Sequence, residues 1–289
     1  MQIQKSFNKQ YTLGTLYLVP TPIGNLQDIT LRAVETLKNV DYICAEDTRN
    51  TGLLLKHLAI KTRQISFHEH NAAEKIPALL ALLQDGKSLA QVSDAGMPSI
   101  SDPGYELVQA ALDQNIAVVA LPGASAGITA LIASGLLPQP HVFYGFLPRK
   151  AGQQKAFFST KKNYPETQIY YESPYRLAAT LKNMLAVYGD RKIALVRELT
   201  KRYEEYQRGT VSEILAYIEE QPPKGECLLI VAGCQAAREP ENLTEQDIQV
   251  SVRDFIAEGL APNAAIKKTA KAAGLSRQEV YNIYHDLKD

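Results

Sequence analysis

The segment from residue 92 to residue 104 constrains the fold of this chain more than any other feature. It reads Val-Ser-Asp-Ala-Gly-Met-Pro-Ser-Ile-Ser-Asp-Pro-Gly and directly follows the apolar run 88–92. A segment so rich in Gly, Pro, Ser and Asp continues neither a strand nor a helix, so we expect an open loop at the carboxyl end of a strand. In α/β sheets, ligands bind at that edge. The loop therefore predicts an α/β fold with a cofactor cradle.

The first part of the chain shows the alternation that an α/β fold requires. Four apolar runs predict strands: 15–19, 41–45, 88–92 and 116–121. Helical patterns lie between them, with Asp28 and Asp102 as candidate helix caps and a further helix over 73–84. This alternation predicts a mostly parallel sheet.

The pattern starts again after Leu121-Pro122-Gly123, which predicts a second α/β domain. Its expected strands are 142–146, 168–171, 193–196 and 227–231. A wholly helical unit follows the polar stretch 236–245. The expected organisation is an N-terminal extension, two α/β domains and a helical module, with the bounds 1–13, 14–122, 123–236 and 245–289.

Composition narrows the classes of function. The 289 residues carry no net charge and no Trp, so nucleic-acid or membrane binding would have to come from local patches. No apolar run approaches the roughly 18 residues that span a bilayer. The three cysteines lie in apolar or small-residue settings, as expected for reduced thiols. We expect a soluble, cytoplasmic protein that binds no membrane.

Three further motifs follow predicted strands and supply backbone or charge at their ends. They are Pro20-Thr21-Pro22-Ile23-Gly24, Leu121-Pro122-Gly123-Ala124-Ser125-Ala126, and the charged pair Tyr171-Glu172-Ser173-Pro174 and Arg197-Glu198. Each alone is compatible with an ordinary strand-to-helix turn. Because all three motifs and the 93–104 loop lie at strand ends, together they indicate one binding site.

These motifs, together with Ala45-Glu46-Asp47-Thr48-Arg49, resemble the ribosomal RNA methyltransferase branch of the tetrapyrrole methylase family. The resemblance runs from about Leu16 to Gly233. It implies two α/β domains with S-adenosylmethionine in the cleft between them, and a homodimer. It also implies 2′-O-methylation of a cytidine in the decoding region of 16S rRNA, as free RNA or within the small ribosomal subunit.

The resemblance also implies a set of cofactor contacts. They fall on Ile23, Gly24, Asp94, Ala95, Gly96, Ile100, Ser125, Ala126, Glu172 and Leu199. Backbone contacts with a few carboxylates suit a ligand that has an ammonium, a sulfonium and a ribose diol. Met97 and Ala124 stand where the family often has Thr and Pro, so Met97 offers no hydroxyl there.

Glu46, Asp47 and Arg49 are the candidate catalytic residues. Orienting a ribose hydroxyl toward an activated methyl group can be worth about 7 to 11 kcal/mol, and a base assists. We hypothesise that a carboxylate polarises the 2′-hydroxyl while Arg49 holds the adjacent phosphate. An ordinary ion pair explains the same residues equally well. Glu172, Arg197 and Glu198 are second candidates whose positions also fit a buried network.

Two basic segments are candidates for RNA binding. Arg149, Lys150 and Lys155 belong to an acid-free run that also contains Phe157-Phe158. Cations with aromatic residues are typical of a nucleic-acid groove, although a solvated helix with its aromatic side chains in the core gives the same pattern.

The second basic segment lies near the C-terminus, where 262–273 and 276–287 predict two helices in a helix-turn-helix arrangement. Ser276 and Glu279 form a predicted capping box. The module is basic, so we expect it to hold RNA backbone. Its cations are Lys267, Lys268, Lys271 and Arg277.

Two other functions remain open. The chain could methylate a tetrapyrrole carbon, as other branches of the resembled family do, or it could be a ligand-sensing, helix-turn-helix DNA-binding regulator. We expect no metal site, since His68-Glu69-His70 lacks the helical spacing of metal ligands and a third ligand nearby.

Overall fold

The computed structural model describes residues 3–5, 13–234 and 244–285. The chain divides into two compact units, residues 1–233 and 234–289. Among the described residues, the first unit contains two five-stranded sheets with helices, and the second unit is helical. The predicted fold class is confirmed. No helix in the described ranges is both long and apolar enough to cross a bilayer.

The first sheet is entirely parallel and has the order β3-β2-β4-β1-β5. Its strands are β1 (Thr15–Leu18), β2 (Tyr42–Ala45), β3 (Arg63–Ser66), β4 (Leu89–Val92) and β5 (Ala117–Ala120). The connecting helices are α1 (Leu31–Asn39), α2 (Thr48–His57), α3 (Ala72–Gln84) and α4 (Tyr105–Asp113). Because all five strands run the same way, the loops that follow them meet at one edge.

The sequence did not predict β3, which is an edge strand. None of its four residues, Arg-Gln-Ile-Ser, is fully buried, and they contain no apolar run. The opposite edge strand, β5, is covered by an N-terminal residue. The Gln4 side chain donates to the Val118 carbonyl and accepts from the Val118 N–H, both at 2.9 Å. These two bonds satisfy backbone groups that an open edge would expose.

The two helix caps predicted in the first part of the chain, Asp28 and Asp102, are wrong. Thr30 caps α1 by accepting a hydrogen bond from the Ala33 N–H at 3.0 Å, whereas Asp28 ends a short 3-10 turn. Gly104, with φ of 146°, precedes α4, and Asp102 lies two residues earlier. A side chain at position 104 would collide with the Gln91 amide, so the chain needs glycine there.

The second sheet is mixed and has the order β6-β7-β10-β8-β9. Strands β6 and β7 are parallel, and the other pairs are antiparallel. The strands are β6 (His141–Phe146), β7 (Thr167–Glu172), β8 (Lys192–Arg197), β9 (Glu205–Thr210) and β10 (Cys227–Val231). The helices are α5 (Ala126–Ala133), α6 (Ala151–Lys161), α7 (Leu177–Tyr188) and α8 (Val211–Glu220). The polar edge strand β9 has no apolar run and was not predicted.

Each face of the second sheet has its own apolar core. Tyr170, Leu195 and Leu229 pack beneath α6, α7 and α8 on one face. Ile169, Val196 and Ile230 pack beneath α5 on the other. Burial of such side chains contributes about 1.5 to 3 kcal/mol each, so this sheet is a rigid support for the loops at its ends.

The described residues of the second unit form three helices, α9 (Glu245–Ala257), α10 (Pro262–Ala273) and α11 (Arg277–Tyr284). Its core is formed by small and branched side chains from all three helices: Ile248, Val252, Ala265, Ile266, Ala270 and Val280. The predicted turn at Gly274-Leu275 is confirmed, with Gly274 in the left-handed conformation. The Ser276–Glu279 capping box is also confirmed.

Candidate active site

The loops after β1 and β4 form one backbone unit at the carboxyl edge of the first sheet. Thr21 and Gly96 exchange backbone hydrogen bonds of 3.0 and 3.1 Å. The Thr21 hydroxyl also donates to the Ser93 carbonyl at 3.1 Å. Because β1 and β4 are neighbours, the two motifs that the sequence placed at strand ends lie side by side.

Gln91 ties the far end of the 93–104 loop to the sheet. Its side chain is only 1% exposed, and its amide donates to the Pro103 carbonyl at 2.7 Å and to the Ser99 hydroxyl at 3.4 Å. Sequence reasoning missed this residue. The signal was a single amide in the apolar run Leu89-Ala90-Gln91-Val92.

Several residues that the resemblance assigned to the cofactor converge where the two sheets meet. Ile23 and Ala126 pack against the apolar cluster that contains Leu199. A Cβ on Gly24 would lie 3.0 Å from the Leu199 carbonyl oxygen, and one on Gly96 would lie 3.2 Å from Ile23. The loops of the first sheet therefore contact the strand ends of the second sheet, and glycine permits this approach.

Asp94 connects the loops after β2 and β4. Its carboxylate accepts a hydrogen bond from the Asp47 N–H at 3.2 Å and another from the Asn50 side chain at 2.9 Å. Asp94, Ala95 and Ile100 remain exposed, so this part of the loop is open to a ligand. Ser125 precedes α5, and its side chain forms no capping bond.

Two carboxyl groups near Asp94 have raised pKa values. Burial, reinforced by the charges of Asp102 and Asp94, raises the pKa of Glu46 above its ordinary value. Burial and the charge of Asp94 likewise raise the pKa of Asp102. Sequence reasoning treated Asp102 only as a helix cap. The fold instead brings it toward Glu46, and a carboxylate with a raised pKa is the better proton acceptor.

Asp47 and Arg49 form a pair at the start of α2. The guanidinium donates to the carboxylate at 2.7 and 3.1 Å, and the Arg49 N–H donates at 2.8 Å. The side-chain hydrogen bond from Arg49 lowers the pKa of Asp47 to about 2. Asp47 is therefore a weak base, and Glu46 is better suited to accept a proton. The Arg49 side chain is 88% exposed and available to an anion.

Glu172 lies in a buried network of the second sheet. The residue is 2% exposed, and its carboxylate accepts from the Ser173 N–H at 2.8 Å and the Thr180 hydroxyl at 2.7 Å. It also pairs with Arg176 at 3.2 Å and lies 3.4 Å from the Gln154 amide. Its side chain is thus occupied within its own half of the molecule.

The other second candidates are paired too. Arg197 donates to Glu205 at 2.6 Å. Glu198 accepts from Lys201 at 2.9 Å and from the Glu226 N–H at 2.9 Å. These contacts form partly buried ion-pair networks and leave Glu46 as the better candidate base.

Of the two interpretations of the segment at α6, the structure matches the solvated helix with its aromatic side chains in the core. Phe158 is fully buried, and Phe157 packs against the same core. Arg149, Lys150 and Lys155 are exposed, so only the cations face solvent. The four predicted cations of the second unit are exposed as well: Lys267, Lys268, Lys271 and Arg277.

The two-sheet fold is shared with solved structures of methyltransferases and a synthase. Uroporphyrin-III C-methyltransferase from Thermus thermophilus matches with a TM-score of 0.51 and 22% identity, covering 75% of this chain and 94% of that one. Diphthine synthase matches with a TM-score of 0.58 and 11% identity, covering 76% and 90%. At these identities the likeness defines the fold alone.

Closer relatives define the family. A protein from Streptococcus pyogenes serotype M1 named ribosomal RNA small subunit methyltransferase I is 71% identical over 99% of this chain and 100% of its own length. The Bacillus subtilis protein of the same name is 47% identical over 98% of each chain. The family model for tetrapyrrole (corrin/porphyrin) methylases matches residues 15–215. The chain belongs to the tetrapyrrole methylase family, as its motifs indicated.

Proposed function

We propose that this protein transfers a methyl group from S-adenosylmethionine to the 2′-hydroxyl of a cytidine in the decoding region of 16S rRNA. The relatives named as small-subunit rRNA methyltransferases support the reaction class and the substrate. The observation that carries the proposal is the cradle formed by the joined loops of β1 and β4. It presents exposed Asp94 beside Glu46, whose pKa is raised.

The residues of the cradle fit the methyl donor. Gly24 and Gly96 let the loop backbone approach Leu199 and Ile23 more closely than a side chain would allow. Apolar walls with exposed loop backbone and a carboxylate suit a ligand that is part nucleoside and part amino acid. When bound, S-adenosylmethionine supplies a methyl group on a good leaving group. The contacts that we propose are Ile23, Gly24, Asp94, Ala95, Gly96, Ile100, Ser125, Ala126, the backbone of Glu172, and Leu199.

Glu46 and Arg49 act on the substrate side in this proposal. The Glu46 carboxylate would accept the proton that the 2′-hydroxyl loses when it is methylated. Arg49 holds a neighbouring phosphate, and Asp47 orients Arg49 through their paired hydrogen bonds. The raised pKa of Glu46 suits this role because a stronger base takes the hydroxyl proton more readily.

RNA binding is assigned to exposed cations in both compact units. Arg149, Lys150 and Lys155 lie at the start of α6, and the cations of α10 and α11 lie in the second unit. We also propose the domain bounds 14–122, 123–236 and 245–289, and action in the cytoplasm on ribosomal subunits.

A homodimer is part of the proposal. Ile128 and Ile132 are exposed one turn apart on α5, and Leu137 is exposed beyond it. Exposed apolar side chains of this kind are typical of subunit interfaces.

The decisive test is methyl transfer with purified components. Labelled S-adenosylmethionine is supplied with small ribosomal subunits, free 16S rRNA, uroporphyrinogen III or duplex DNA. The rRNA is then digested to nucleosides. We expect 2′-O-methylcytidine from an rRNA substrate and no product from the other two. If calorimetry detects no binding of the donor or of S-adenosylhomocysteine, with or without subunits, the proposal is wrong.

A further inference from the structure

A β-bulge redirects the end of strand β6. The pairing with β7 runs from Phe143 opposite Ile169 to Gly145 opposite Tyr170, so one residue of β6 has no partner. Gly145 has a φ of +68°, a conformation that glycine adopts readily. Side chains normally alternate between the faces of a sheet, and the extra residue reverses this alternation. Phe143 and Phe146 therefore lie on the same face.

The bulge separates the aromatic residues of β6 into two environments. Tyr144 stacks on buried Tyr170 with ring centroids 5.5 Å apart, in the core beneath α6 and α7. Phe146 is 67% exposed on the other face. Its ring meets Tyr171 edge to face at 5.4 Å, and Tyr171 meets Phe143 in the same way at 5.0 Å. Without the extra residue, Phe146 would point to the face that carries Tyr144 and Tyr170.

The exposed ring lies beside the proposed active site. Phe143 and Tyr171 pack against the apolar cluster that contains Leu199 and also borders Ile23. Burial raises the pKa of Tyr171, and the charge of Asp102 raises it further. A hydrogen bond from the Gly127 backbone lowers this pKa but does not cancel the rise. Tyr171 is thus next to the start of α5 and near a carboxylate from the first sheet. Bulges often redirect side chains next to active sites.

We propose that Phe146, supported by Tyr171, is the surface on which the base of the target nucleotide stacks. This inference rests on the proposed function. An exposed aromatic face binds bases by stacking and suits a nucleotide that is unpaired or turned out of its helix. Arg149 and Lys150 follow Phe146 by three and four residues and are both exposed. They supply the positive charge that flanking phosphates require.

Stacking on Phe146 requires an aromatic ring at this position rather than bulk alone. A leucine there would keep the apolar surface but remove the flat face, whereas tyrosine would retain it. Tyr217 provides a matched control. It is 40% exposed on α8, whose buried residues belong to the core on the opposite face of the sheet.

The test compares Phe146→Leu, Phe146→Tyr and Tyr217→Leu with the wild-type protein. Methyl transfer to small subunits gives kcat and KM, and calorimetry gives donor affinity. A third readout is the fluorescence of pyrrolocytidine placed at the target position of an RNA oligonucleotide, with S-adenosylhomocysteine present. We expect Phe146→Leu to raise KM roughly 5- to 150-fold, the range for loss of one stacked base. We expect the wild-type protein to quench the probe by stacking, and Phe146→Leu to lose this quenching.

The remaining outcomes separate this inference from the proposed function. Donor affinity should stay unchanged in all three variants, and Phe146→Tyr and Tyr217→Leu should methylate normally. If Phe146→Leu keeps the wild-type KM and quenching while the wild type methylates rRNA, the inference alone is wrong. If light scattering shows that Phe146→Leu dissociates an oligomer without changing RNA binding, the ring belongs to a subunit interface. Failure of the wild type on every rRNA substrate would instead reject the proposed function.

Discussion

The two sheets end their strands with similar charged residues but use them differently. At the first sheet, Glu46 and Asp102 lie near Asp94, and mutual repulsion adds to burial in raising their pKa values. At the second sheet, Glu172 and Arg197 each have a partner of opposite charge within 3.2 Å. Charge left without a counterion indicates reactivity, and charge that is paired and buried indicates stability. Substitutions at the two edges should therefore affect different measurements.

The largest effect should come from Glu172 of the second sheet. Glu172→Ala leaves Arg176, Thr180 and Gln154 without their shared acceptor in a buried site. Removing one partner of a buried pair costs about 3 to 5 kcal/mol, so the free energy of unfolding should fall by that amount. Denaturant titration measures it. Donor affinity per folded molecule should not change, and a loss below about 1 kcal/mol would contradict the assignment.

Glu46 of the first sheet should show the opposite behaviour. Glu46→Gln removes the proposed base, so kcat should fall about 10²- to 10⁴-fold. Stability near neutral pH should hold or rise slightly, because the raised pKa means that the folded protein disfavours the charged carboxylate. Single-turnover methyl transfer and denaturant titration provide the two measurements.

Asp47→Ala is the matched comparison for Glu46. Its carboxylate has a pKa of about 2 and orients Arg49, so we expect a rise in KM for RNA with kcat largely kept. Near-normal turnover would remove Asp47 from the mechanism. A loss of kcat as large as that of Glu46→Gln would instead make Asp47 the base.

The next effect is on the pH dependence of methyl transfer. Activity should rise with pH as Glu46 loses its proton, and the raised pKa moves that limb above the ordinary range for glutamate. Asp102→Asn removes one of the negative charges that raise this pKa, so the acid limb should move to lower pH while the plateau stays. As pH rises through the range in which Glu46 ionises, the free energy of unfolding should also fall less in Asp102→Asn than in the wild type. An unmoved limb would contradict the coupling.

The sequence predicted the parts of the fold that depend on contiguous apolar runs. Eight strands follow such runs, whereas β3 and β9 are polar edge strands without a fully buried side chain and gave no signal. The loops of the site were predicted because Gly, Pro and Asp report directly on backbone conformation. The partners of the charged side chains were not predictable. The hydrogen bonds of Glu172 and the approach of Asp102 to Glu46 join residues that only the tertiary structure brings together.

The smallest effect should come from single lysines of the second unit, which forms its own compact core. Lys267 is exposed, whereas the Lys268 ammonium lies 4.0 Å from the centre of the Phe255 ring. Lys267→Ala should therefore weaken RNA binding without a change in stability. The slope of log affinity against log salt should fall by about 0.7 to 0.9, the value for one phosphate contact.

Lys268→Ala is the control for that prediction, because it also removes a cation–π contact and should lower the stability of the unit slightly. Deletion from Thr244 onward should weaken RNA binding further and leave donor affinity intact, since the cradle lies wholly in the first unit. Binding measured across a salt series tests all three variants. If the deletion leaves RNA affinity and its salt slope unchanged, the second unit does not hold RNA, and the cations at the start of α6 must supply the charge.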